Sequence, residues 1–406
     1  MQQQLKRGIF WLVVGMLIIL LGFLVWRIYP ERAQEKIGFS NEFKEETEKG
    51  LEKSTKSTDL LTEDIELDND SSVVPSTPET KKEKSETENV EELSENLLPK
   101  ETASPEPSPH QRTPLSFFKG IWAQPGGEEK ALSNDSQKML EDGVNIFAIA
   151  VSYEINPDGS LTMVPLNYKW DFNPEAGYLN LIKTAHNAGL GVFLEVEFNP
   201  FWEEGEFSSL SLSLQKKILQ RTKEATLHWA EIGEEEQVEL FSPINEPANV
   251  FGKEAGFKWI EDILPEIKKK YTGSTNVKLY GIEVGDFSSY GSIKGYDYVS
   301  VNVYAMDVSD EEFMQYIKEE VIPYMKNCVQ KYQLKGFLFG EMGIPASNPY
   351  QSQLFNQFFE NTWQEAKGYL LSGWGPKVMM DDSFPDMQYT DRPAEEVIKY
   401  WYHKIK

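Results

Sequence analysis

The chain has 406 residues, a formal net charge of −25 and a single cysteine, Cys328. That length holds one large domain or two ordinary ones. The acidic balance excludes nucleic acid as a partner, because binding it needs a basic footprint, and one cysteine excludes an intrachain disulfide. The four histidines, His110, His186, His228 and His403, show no ligand spacing, so no metal is expected. No cofactor is expected either, since no Gly-x-Gly-x-x-Gly follows the first strand. A serine hydrolase lacks its Gly-x-Ser-x-Gly elbow.

Residues 1–8 form a short polar tail, and 9–28 (IFWLVVGMLIILLGFLVWRI) are almost wholly apolar. About 20 such residues at ~1.5 Å each span the ~30 Å hydrocarbon core, so a transmembrane signal anchor is expected. The rival is a cleaved signal peptide, which the length of the run and the lack of a small-x-small site disfavour. Lys6 and Arg7 before the span are matched by Arg27, Arg32 and Lys36 in and after it, so charge is nearly silent on orientation. The expectation is a cell-membrane protein with its main domain outside. Residues 29–113 are rich in Glu, Lys, Ser, Thr and Pro and carry no aromatic between Phe43 and Phe117. Such a composition buries too little apolar surface to offset ordering entropy and reads as a disordered acidic linker.

Residues 114–406 alternate between short apolar runs and amphipathic stretches. Strands are predicted at 117–124, 145–153, 191–198, 238–244, 277–283, 298–304, 336–341 and 368–374. Helices are predicted from an N-cap at Ser133 towards Gly143, then over 174–188, 214–232 and 254–271, from a cap at Ser309 towards Tyr332, and over 350–366 and 393–404. Cys328 falls on an apolar helix face and reads as a buried thiol. The fifth connection, 285–296, looks more like a loop than a helix. Eight strand–helix alternations over about 290 residues predict an α/β fold, a parallel (β/α)8 TIM barrel, over an open doubly wound sheet.

The fourth and seventh strands end in a glutamate at equivalent positions. The fourth closes on Asn245-Glu246-Pro247, where proline stops the ladder. The seventh closes on Gly340-Glu341-Met342-Gly343, with Phe337, Phe339 and Glu341 on one face by period two. Both ends of such strands point into the carboxyl-terminal mouth of a barrel. Paired carboxylates are what glycoside hydrolysis needs.

Asn-Glu-Pro closing strand four, with glutamate closing strand seven, resembles the clan of retaining (β/α)8-barrel glycoside hydrolases that includes β-mannanases, cellulases, xylanases and endo-galactanases. The resemblance implies that Glu246 is the general acid/base and Glu341 the nucleophile. It implies that Asn245 bonds the sugar 2-hydroxyl, that Tyr304 donates to the nucleophile, and that Trp374 floors the subsite beside the cleavage point. The residues themselves add Asn302, on the face of Tyr304, Glu197, and the strand-one aromatic Trp122 as candidate sugar contacts. The third strand departs from the clan, carrying Glu195 and Glu197 where many members have basic or histidine residues.

The expected function is therefore a membrane-anchored glycoside hydrolase, acting as a monomer on β-linked polysaccharide or oligosaccharide. The alternative from another class is a non-catalytic glycan-binding or scaffold barrel at the cell surface, since fold alone does not establish activity. A metal-dependent barrel hydrolase is a third, disfavoured by the absence of placed histidines.

Overall fold

A computed structural model describes residues 110–166, 173–203, 206–281, 290–306, 308–376 and 385–406. The expected anchor at 9–28 and all but the last residues of the 29–113 linker lie outside the described residues. Among those described, no helix is long and apolar enough to cross a membrane.

In chain order the elements are β1 (Phe118–Ala123), α1 (Glu128–Glu141), β2 (Ile146–Ile155), β3 (Leu161–Met163), α2 (Pro174–Asn187), β4 (Gly191–Asn199), α3 (Leu212–Glu235), β5 (Leu240–Ser242), α4 (Pro247–Phe251), α5 (Lys253–Lys270), β6 (Ser274–Tyr280), β7 (Tyr298–Tyr304), α6 (Asp310–Tyr316), α7 (Ile322–Tyr332), β8 (Gly336–Gly343), α8 (Gln351–Thr362), β9 (Gly368–Trp374) and α9 (Pro393–Lys404). Eight strands pair in parallel around a closed ring, because β1 bonds both β2 and β9. The ninth, β3, is an antiparallel addition to β2 outside the ring. The predicted (β/α)8 barrel is thus the observed architecture.

Local chemistry accounts for most boundaries. Ser309 and Glu312 form a reciprocal capping box at α6. Asn173 caps α2 through its side chain, with Pro174 at the first helical position. Pro265 is accommodated within α5. Cys328 is buried. One expectation fails. Ser133 is not the cap of α1 but lies inside it, its hydroxyl bonding back to the Lys130 carbonyl, and the helix begins at Glu128 after Gly127. Two glutamates in the first turn favour that earlier start, since they complement the positive end of the helix dipole. Between β6 and β7 the described residues contain no helix.

The strands are buried on both faces. Their outer sides pack against the helices in one large apolar cluster. Their inner sides form a smaller one at the floor, built from Phe118, Ile146, Ala148, Phe193, Leu240, Tyr298, Leu338 and Leu370. Two residues further along the same inward faces, the interior becomes polar. Phe193 gives way to Glu195, Leu240 to Ser242 and Tyr298 to Ser300, while β6 contributes Asn276 and Lys278. Asn276 donates to Ser300 across the barrel wall at 2.8 Å. Alternation along each strand therefore builds an apolar floor, a polar middle and a carboxylate-bearing mouth.

Candidate active site

Glu246 does not sit on β5 itself. It occupies the cap position of α4 in the left-handed region, φ 49° and ψ 63°, directly before Pro247. A glutamate held there stores on the order of 1–3 kcal/mol of backbone strain, a signature of sites whose geometry is over-determined. Helix α5 crosses this turn so closely that a Cβ on Gly256 would lie 2.4 Å from the Pro247 carbonyl oxygen. The Glu246 carboxyl accepts from Asn302 Nδ2 at 2.5 Å and from Asn249 Nδ2 at 2.9 Å. Burial, and then the nearby charge of Glu341, pushes its pKa up to about 7. It is a carboxyl prepared to give a proton near neutrality.

Glu341 reaches the mouth by a route that alternation alone does not give. Phe337 and Phe339 face outward; Phe339 packs edge-on against Phe358 of α8, with ring centroids 4.8 Å apart. Leu338 faces the barrel interior. In an unbroken strand Glu341 would follow the phenylalanines into the helix layer. Instead the pairing with β7 slips: Val301 opposes Phe339, but Asn302 opposes Glu341. Gly340 is the extra residue of a β-bulge, which re-aims the next side chain. It also has to be small, because a Cβ there would meet Ser300 Oγ at 2.7 Å. Glu341 therefore leaves the face that Phe337 and Phe339 share, contrary to the expectation from period two.

Both Glu341 oxygens are engaged. Tyr304 donates its hydroxyl to one and the Lys278 ammonium donates to the other. Lys278 is fully buried and also bonds Glu195 at 2.8 Å. Burial alone would lower its pKa, but the charges of Glu195 and Glu341 outweigh that and raise it, so it stays charged. Burial raises Glu195 to about 8 against the pull of Lys278. Lys278 also lies 4.6 Å from the centre of the Trp122 ring, a cation–π contact. Lys278 is the functional residue that sequence reasoning missed. Within 277–283 it reads as the polar member of an alternating strand. Its only signal was a charge in the middle of a strand buried on both faces.

A cleft of about 390 Å³ opens over this group and is lined by Trp122, Glu195, Glu197, Asn245, Tyr304 and Glu341, among others. Glu246 lines an adjoining cavity that shares Glu197, Asn199 and Asn245 with the first. Glu197 accepts from the Ser152 hydroxyl. The side-chain oxygen of Asn245 is buried without a partner, a polar atom available to a bound group. Trp122 is fixed by its indole N–H, which donates to the Gly340 carbonyl at 2.8 Å.

Asn302 donates its amide to Glu246, while its side-chain oxygen, like that of Asn245, is buried without a partner. One expected sugar contact is placed differently. Trp374 is 2% exposed and does not line the cleft; its ring lies edge-on to Tyr389 and its indole N–H donates to Asp135 at 3.3 Å. The reason is Gly373, whose φ of 115° breaks the alternation after Ser372, so that Ser372 and Gly373 line the cleft and the tryptophan turns away. His110 and His186, expected to be scattered, meet at the barrel floor.

Solved structures sharing the fold include the GH113 β-mannanase from Alicyclobacillus acidocaldarius in complex with ManMIm, 15% identical, covering 72% of this chain and 99% of that one at a TM-score of 0.51. The hyperthermostable endo-1,4-β-D-mannanase from Thermotoga petrophila is 15% identical over 71% of this chain and 100% of its own, with a TM-score of 0.55. The endo-1,4-β-mannanase from Rhizomucor miehei is 9% identical over 73% and 99%, with a TM-score of 0.52. At such identities the likeness concerns the fold. No protein-family profile matches the chain, and no curated protein matches its sequence.

Proposed function

We propose that this chain is a retaining glycoside hydrolase of β-linked glycans, with Glu246 as acid/base and Glu341 as nucleophile. The observation that carries it is the contrast between two carboxyls at one barrel mouth. Glu246 is buried and holds its proton to about pH 7, whereas Glu341 accepts from an ammonium and a phenol. A buried carboxyl that keeps its proton suits the acid, and one held by two donors suits the nucleophile.

In the first step Glu341 attacks the anomeric carbon while Glu246 gives its proton to the glycosidic oxygen. The carbon–oxygen bond breaks with its electron pair on the leaving sugar, and a glycosyl ester forms on Glu341. In the second, Glu246, now a carboxylate, takes a proton from water. The water oxygen attacks the same carbon and frees Glu341. In this reading Asn245 bonds the sugar beside the reacting carbon and Trp122 packs against a ring; both line the cleft. Because the fold's solved neighbours include β-mannanases, β-1,4-mannan is the first substrate to try. The apolar run 9–28 supports attachment to the membrane; with the barrel taken to lie on the outer side, cell fractionation with protease shaving tests both.

The deciding experiment is proton NMR of the first-formed sugar from a panel of β-mannan, galactan, xylan and β-glucan. The β anomer should appear first, and Glu341→Ala should abolish turnover while remaining folded. An α anomer would exclude double displacement. Folded protein that binds a glycan without cleaving any would establish the binding-module alternative instead.

A further inference from the structure

Two histidines and a glutamate that the proposed chemistry leaves unused meet at the end of the barrel opposite the mouth. Glu239 immediately precedes β5, His186 lies in the last turn of α2, and His110 stands where the described chain begins. His110 Nε2 lies 2.8 Å from one Glu239 oxygen and His186 Nε2 lies 3.2 Å from the other. The two imidazoles stack, with centroids 3.7 Å apart and planes inclined by 9°. All three ligand atoms fall within 4.8 Å of one another.

We propose that His110, His186 and Glu239 form a structural site for a borderline divalent cation, zinc in the first instance. Two imidazole nitrogens and one carboxylate are a zinc donor set, and tetrahedral coordination at ~2.1 Å sets ligand atoms about 3.4 Å apart. His110 faces one Glu239 oxygen and His186 the other, so a cation held between them would be bridged by the carboxylate and would require the stacked imidazoles to splay apart. The carboxylate is oriented from behind, as metal ligands usually are. The Val192 N–H donates to it at 2.7 Å, and the Thr113 N–H at 3.4 Å. Glu239 and His186 are buried, whereas the His110 side chain is 28% exposed, which leaves a route in from solvent. Two histidines from segments far apart in sequence present the same ring atom to the same carboxylate.

The site would have a mechanical role. Residue 110 belongs to the segment that leads into β1, and its neighbour Arg112 already ties that segment to Val238, Thr272 and Glu234. A cation held there would clip the entering chain to the barrel floor without touching the catalytic groups.

The test uses the full chain, stripped with a chelator and dialysed, then titrated with zinc chloride by calorimetry, with thermal unfolding read in parallel. One equivalent of zinc should bind and raise the Tm by several degrees, because a ligand of the native state alone stabilises it. Cobalt chloride should give the visible spectrum of a four-coordinate site. Glu239→Gln and His186→Ala should lose both effects, while Glu341→Gln should keep them. If a floor variant fails to fold, His110→Ala, on the exposed side, serves in its place. Absence of saturable zinc uptake by the wild type at micromolar concentration, or uptake unchanged in His110→Ala and His186→Ala, would overturn the proposal. Neither readout involves glycan turnover, so its failure and that of the hydrolase reading are separable.

Discussion

Asn302 donates its amide to Glu246 while standing opposite Glu341 in the β7–β8 ladder. One side chain thus borders both carboxyls. Its bond favours the charged form of Glu246 and holds down a pKa that burial and Glu341 push up to about 7. In a proton donor, that value sets the alkaline limb of the rate profile. The limb of kcat/KM should lie near pH 7 in the wild type and move upward in Asn302→Ala. A limb that stays put or moves down in pH-rate measurements would contradict the assignment of Glu246 as acid.

Lys278 bridges Glu195 and Glu341 with no exposure to solvent. Replacing it with Met leaves two buried carboxyl groups facing each other without their cation, and breaking a buried ion pair from one side costs about 3–5 kcal/mol. Lys278→Met should therefore lose stability together with activity. Adding Glu195→Gln should restore much of the Tm but little of the kcat, because Glu341 still lacks its donor. Urea melts and initial rates on the four proteins of this cycle test the separation. Equal recovery of both quantities would mean that Lys278 acts only on folding.

Glu246 also predicts a pH-dependent stability cost. Its folded pKa lies above the unfolded one, so the native state binds more protons between about pH 4.5 and 7. Stability is therefore fully present below the unfolded value and lost as pH rises through the folded one, a swing on the order of 3 kcal/mol. Glu246→Gln removes the titration. Its Tm advantage over wild type should be larger at pH 8 than at pH 5, and an advantage independent of pH in calorimetric scans would refute the shift.

Trp374 is packed against Tyr389 and bonded to Asp135. Trp374→Ala should cost about 3–5 kcal/mol of stability. Provided the variant is assayed below its melting temperature, KM should barely change. Trp122→Ala should show the opposite balance, with KM raised more than Tm is lowered. A large KM effect at Trp374 would return it to the subsite floor.

The barrel was legible because parallel strands buried on both faces become apolar runs cut by glycine, proline and polar turns. Glu246 and Glu341 were legible as glutamates ending such runs. What escaped was set by geometry that periodicity does not carry. Gly340 adds a residue to β8 and turns Glu341 inward; Gly373 takes a left-handed twist and turns Trp374 away from the cleft. Lys278 was missed because alternation in an open, half-solvated strand and in a closed barrel look alike until the ring is closed. His110 and Glu239 are 129 positions apart, and His186 and Glu239 are 53 apart. Only the barrel floor makes them neighbours, so a search by ligand spacing had nothing to find.

The near contact between Gly256 and the Pro247 carbonyl gives α5 authority over chemistry in which it takes no part. The proposed proton donor is aimed by its backbone, and that backbone rests on a helix whose approach is limited by one missing methyl group. A methyl at position 256 would act as a spacer, displacing the donor without altering any group that touches sugar. The tolerance of the site is thus written partly in the packing of a helix behind it, and remote size changes there would be felt as lost alignment.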